Sequence, residues 1–227
     1  MDITLFYMDN RLLIQSIYTF VVVLCCLIVY FRTRKLYKAT GYDGIKYFFM
    51  AFLYYALGFI TIFAYGWRIL LGNLGKSVVM NYIPILLEYF LIMGGFYITY
   101  SLLWKKFLDD TWISRIILLH MIAIIIALAD MFYTHAYLMF IMELVIGIYA
   151  AIIIYTNYMD NKSQKFTQFY FISMVCNVLG WLMYFAGYIT NNDYPIMMLY
   201  TYIIIMLAFI FLLYGVLGLE KNNGKKA

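Results

Sequence analysis

The chain has 227 residues, of which 67% are apolar, 21% aromatic and only 12% charged, with a formal net charge of +5. Soluble domains carry about 25% charged residues, so the composition excludes an ordinary soluble protein and predicts an integral membrane protein, all-α, built as a transmembrane bundle. With about 20 residues needed per span, seven spans fill most of the length, and no soluble catalytic or output domain is expected.

The first apolar run, 12–31, holds Gln15 and the adjacent Cys25 and Cys26. Only Arg11 is basic before it and a basic cluster follows, the reverse of a secretory leader, so it is expected to remain as span 1. Span 2, 47–67, is rich in aromatic residues and is followed by Arg68. Span 3, 82–103, contains Pro84 and Glu88; span 4, 116–133, contains His120 and Asp130. Span 5, 137–155, carries Glu143; span 6, 166–189, carries Cys176 and Asn177; span 7, 195–217, begins at Pro195. Tyrosines crowd the span ends, for example Tyr47, Tyr82, Tyr133 and Tyr155, as interfacial aromatic belts do.

Orientation comes from the basic residues. Thirteen Lys and Arg fall after spans 1, 3, 5 and 7, beginning with Arg32, Arg34, Lys35, Lys38 and Lys46, whereas Arg11, Arg68 and Lys76 are the three on the other side. Short basic loops stay cytoplasmic, which predicts an outside N-terminus and a cytoplasmic C-terminus in the cell membrane. The positive charge then meets anionic lipids, not nucleic acid.

Residues 47–66 align with 169–188 at Phe49 and Phe171, at Leu57-Gly58 and Leu179-Gly180, and at Phe63-Ala64 and Phe185-Ala186. The chain's two prolines, Pro84 and Pro195, open the next span in each case, where a helix loses no hydrogen bond to them. The chain thus divides into a first three-helix unit (1–103), a linker helix (116–133), a second three-helix unit (137–219) and a basic tail (220–227). An odd linker makes the units parallel. This 3+1+3 plan resembles the group that includes SWEET and PQ-loop transporters, PnuC-type vitamin transporters and, more distantly, the opsin-like bundles of microbial rhodopsins. The resemblance implies a small-solute cavity between the halves. It is one of layout: no Pro-Gln pair occurs, and span 7 has no lysine for a retinal Schiff base. The basic connection running into GIKYFFMAFLYYALGF also resembles the seven-span sensing regions of prokaryotic signalling proteins, which implies a receptor-like sensor or accessory subunit acting through a membrane or cytoplasmic partner.

Ionisable residues inside spans mark sites of function or pairing. Glu88 and Glu143 each lie six residues into a span and Asp130 three from the end of one, so all three acids share one depth on the outer side. An outer acidic pocket for a proton, a cation or an amine-bearing solute is one reading. An interfacial Asp130, with Glu88 and Glu143 neutral or paired to Arg11 or Arg68, is the other. Asn177 is a candidate midplane contact, which the repeat pairs with Tyr55; Gln15 and His120 are expected to make interhelical hydrogen bonds. His120 and His135 are fifteen residues apart, about 22 Å along a helix, so they share neither a metal nor a haem. The cysteines have no metal-ligand spacing, and no loop carries a nucleophile with a base or a phosphate-binding glycine pattern. Neither an enzyme, a cofactor nor a metal is predicted.

Overall fold

The structure, a computed structural model, describes residues 3–70, 82–104, 112–133, 137–160, 165–190 and 194–223. Among these residues the chain forms seven α-helices: α1 (Ile3–Thr40), α2 (Asp43–Leu70), α3 (Ile83–Leu103), α4 (Trp112–Tyr133), α5 (Tyr137–Asp160), α6 (Lys165–Thr190) and α7 (Tyr194–Asn223). All seven are long and apolar enough to cross a membrane, as a multi-pass membrane protein requires.

Each helix contains the apolar run expected for it, except that Tyr82 precedes α3 as its N-cap, and the other differences lie at the ends. α1 continues nine residues past Phe31, because nothing from Arg32 to Thr40 breaks a helix. Gly41 stops it with φ +65, its N–H bonding the Tyr37 carbonyl at 2.8 Å. This is the left-handed glycine cap that a side chain resists. α3 carries its proline in the first turn and α7 has Pro195 as its second residue.

Six helices pack in a closed order, α1 on α2, α2 on α3, α3 on α5, α5 on α6, α6 on α7 and α7 back on α1, while α4 packs outside against α3 and α5. The Leu-Gly pairs explain two of these contacts. A Cβ on Gly58 would come within 2.8 Å of Leu91 on α3, and one on Gly180 within 2.6 Å of Ile205 on α7. Glycine lets α2 lie against α3 and α6 against α7.

Aromatic rings fill the middle. Tyr18 of α1 stacks on Tyr202 of α7 with centroids 4.5 Å apart, and Phe209 takes edge contacts from Phe52, Tyr55 and Phe59 of α2. Phe48 of α2 meets Tyr170 of α6 edge-on at 5.6 Å, so α2 and α6 touch across the bundle. α4 differs in character. Ile117, Leu118, Met121, Ile124, Ile125, Leu128 and Phe132 are all exposed on it, and little besides Ala123, Ala127 and Asp130 is buried.

Candidate functional site

The polar candidates divide into three places. The first is a small cavity of about 20 Å³ inside the six-helix ring, lined by Glu143 of α5, Ser173 and Asn177 of α6 and Tyr55 of α2, with apolar walls that include Ile98, Phe209 and Leu212. Glu143 is 2% exposed, and its Oε1 accepts no hydrogen bond from any described residue. Gly95 of α3 lets Ile146, on the same helix as Glu143, pack closely: a Cβ there would stand 3.0 Å from Ile146, and 3.5 Å, an ordinary contact, from Oε1. Tyr55 is its electrostatic neighbour from α2. A one-residue turn of α5 about its axis would aim the carboxylate elsewhere, so the packing of Ile146 and Gly147 against α3 and α6 is what points it inward.

The second place joins α3, α4 and α5. Asp130, buried near the end of α4, accepts hydrogen bonds from the Leu138 N–H at 3.0 Å and the Met139 N–H at 2.8 Å. Those are first-turn donors of α5, which lack partners within their own helix. The carboxylate therefore caps the next helix and sits at the positive end of its dipole. Glu88 of α3 is close enough for its charge to interact with that of Asp130. It is 7% exposed, and its Oε2 has no hydrogen-bond partner among the described residues. Glu88 and Asp130 are thus neighbours, while Glu143 lines the cavity whose walls include neither.

The third place surrounds His120 on α4. The Tyr89 hydroxyl lies 2.8 Å from Nδ1 and the Tyr97 hydroxyl 3.4 Å from Nε2, both tyrosines projecting from α3. Tyr54 of α2 stacks on Tyr97 with centroids 5.2 Å apart and meets Tyr89 edge-on at 6.2 Å. A neutral imidazole has one donor and one acceptor nitrogen, so one tyrosine donates to it and the other accepts from it. These contacts tie the outlying α4 to the ring.

Gln15 is half-buried on α1, and Arg68 lies in the last turn of α2. His135 and Lys76 lie outside the described residues. Among the described residues no three His, Cys, Asp or Glu side chains gather in a way that would hold a metal. Two cavity residues were not singled out from sequence. Ser173 lies four positions before Asn177, so helical spacing already put both on one face. Tyr55 was visible through its alignment with Asn177.

No protein-family model matches the chain, and no solved structure does. It is similar to an uncharacterized protein of Archaeoglobus fulgidus, 23% identical over 161 residues that cover 66% of this chain and 68% of that one.

Proposed function

We propose that the chain is a small-solute transporter or permease of the cell membrane, with its N-terminus outside and C-terminus cytoplasmic, that carries a small polar or cationic solute between two parallel three-helix halves without covalent chemistry. The observation that carries this reading is the cavity at the centre of the ring, to which α2 and α3 bring Tyr55 and Ile98 while α5, α6 and α7 bring Glu143, Asn177 and Phe209. A polar centre shared by two helix triplets is where parallel-repeat transporters bind.

The packing order supports the repeat. Exchanging α1, α2 and α3 for α5, α6 and α7 turns the α1–α2 contact into α5–α6, α2–α3 into α6–α7 and α3–α5 into α7–α1, each of which occurs. The matched Gly58 and Gly180 occupy equivalent contacts. α4, outside this order, is the linker. A cavity of about 20 Å³ is far below the roughly 300 Å³ of a small-molecule site, so solute passage requires the halves to part on one side at a time. Glu88 and Asp130 then form an outer polar station on the approach, and the basic ends of α1 and α7 lie against anionic lipids.

The test is uptake by proteoliposomes across a panel of amines, sugars and small vitamins. Glu143→Gln and Asn177→Ala should each reduce it, and a panel without any uptake above empty vesicles refutes the reading. A second reading, a receptor-like sensor or accessory subunit, draws on the unbroken α1, which joins the core to the basic residues 32–38. Stable copurification of the full chain with a signalling protein would favour it.

A further inference from the structure

We propose that the central cavity is a dehydrated site for one monovalent cation of the size of Na+, held by Glu143, Asn177, Ser173 and Tyr55. Its role as a coupling ion rests on the transporter reading above; its binding does not.

Size comes first. A volume of about 20 Å³ admits one particle of water size, for which roughly 10–15 Å³ is needed, and it excludes any organic solute. Charge comes next. Among the described residues Glu143 is the one carboxylate lining the cavity, and it shares the lining with a carboxamide and two hydroxyl-bearing residues. Oxygen donors of this kind suit hard cations, and divalent Ca2+ takes 6–8 oxygens with several carboxylates. A single carboxylate balances a single positive charge. Among the described residues the lining has no His or Cys, and its one sulfur is the Met174 thioether, so the donor set is mainly of hard oxygens.

The orphaned oxygen is an independent observation. Glu143 is 2% exposed and its Oε1 is buried without a hydrogen-bond partner among the described residues. An unmatched carboxylate in such surroundings is costly, and a bound cation supplies the missing positive partner. The four side chains come from both triplets. An ion held among α2, α5 and α6 therefore fastens the halves together, which is how a coupling ion makes separation conditional.

The test uses the purified full chain in detergent, with choline replaced by Na+ at constant ionic strength, reading the melting midpoint by tryptophan fluorescence and binding by equilibrium uptake of radioactive Na+. The expected result is a saturable rise in midpoint with about one Na+ per chain, a smaller response to K+ and none to choline, consistent with the cavity size. Glu143→Gln abolishes the Na+ response, and the gentler Ser173→Ala and Asn177→Ala variants weaken it if Glu143→Gln does not fold. Asp9→Asn, which alters an exposed carboxylate on α1, leaves the response intact. Equal midpoints in Na+, K+ and choline overturn the proposal, as does a Na+ response that survives the Ser173 and Asn177 variants unchanged. Na+ binding without uptake of any solute would retain the site and remove the transporter reading. Uptake without Na+ binding would do the reverse.

Discussion

Asp130→Ala removes the carboxylate that closes the first turn of α5. Two N–H groups lose their acceptor, that of Met139 in a buried bond and that of Leu138 in a half-buried one. A buried donor left without a partner costs about 1–3 kcal/mol, and loss of a favourable charge at a helix N-terminus adds about 0.3–1 kcal/mol. Discounting the half-buried bond, the substitution should destabilise the bundle by about 1.3–4 kcal/mol. Asp130→Asn keeps one acceptor oxygen and loses the charge, so about half of that cost is expected. Reversible unfolding of the full chain in bicelles, driven by bulky tags that bind only the opened form, would give both values on one scale. The order wild type, Asn, Ala is the signature of a cap. Equal stability of wild type and Asp130→Ala would refute the capping role, and equal losses for Asn and Ala would show that charge alone matters.

Other consequences can be checked in parallel. Gly180→Val places a side chain within 2.6 Å of Ile205 and should destabilise the α6–α7 contact by about 1–3 kcal/mol; adding Ile205→Ala should restore part of the loss, which a remote effect would not allow. Tyr89→Phe removes the 2.8 Å bond to His120 and should cost about 0.6 kcal/mol, the mean for hydrogen bonds between transmembrane helices, measured by the same unfolding assay. Cysteine introduced at Lys38 should react with an impermeant maleimide only in opened cells or inverted vesicles, and at Tyr82 only from outside; the opposite pattern reverses the proposed orientation. Gly41→Ala, at φ +65, should lower stability by about 1 kcal/mol, read by thermal melting.

The helices were legible because hydropathy over about 20 residues is a strong one-dimensional signal. Their ends were less so. Lys and Arg from Arg32 to Lys38 end the apolar run of α1 without ending the helix, which waits for Gly41. Position along each helix was readable by counting: Glu88 is the sixth residue of α3, Glu143 the seventh of α5 and Asp130 the fourth from the end of α4. Direction around the helix axis was not. Whether equal depth means a shared cavity depends on how each helix is rotated by its neighbours, and packing at Gly95 and Ile146 turns Glu143 inward while Glu88 lies within electrostatic range of Asp130. The cap on α5 was hidden for another reason: its acceptor comes from the preceding helix, outside the local spacing by which caps are recognised in sequence. His120 lacked visible partners because Tyr89 and Tyr97 are 31 and 23 residues away, although their own spacing of eight already set them on one face of α3.

The length of α1 has a mechanical meaning. Its 38 residues make a rod of about 57 Å at 1.5 Å per residue, almost twice the roughly 30 Å of a bilayer's hydrocarbon. The Tyr18–Tyr202 stack presses this rod against α7 well inside the bundle, and it has no break before Gly41. Pivoting about that stack, some 22 residues and about 33 Å from Thr40, a tilt of about 10° would swing the basic end by about 6 Å. A rearrangement of one or two ångströms beside Tyr18 is thereby magnified several-fold at the far tip, as by a lever with a short and a long arm.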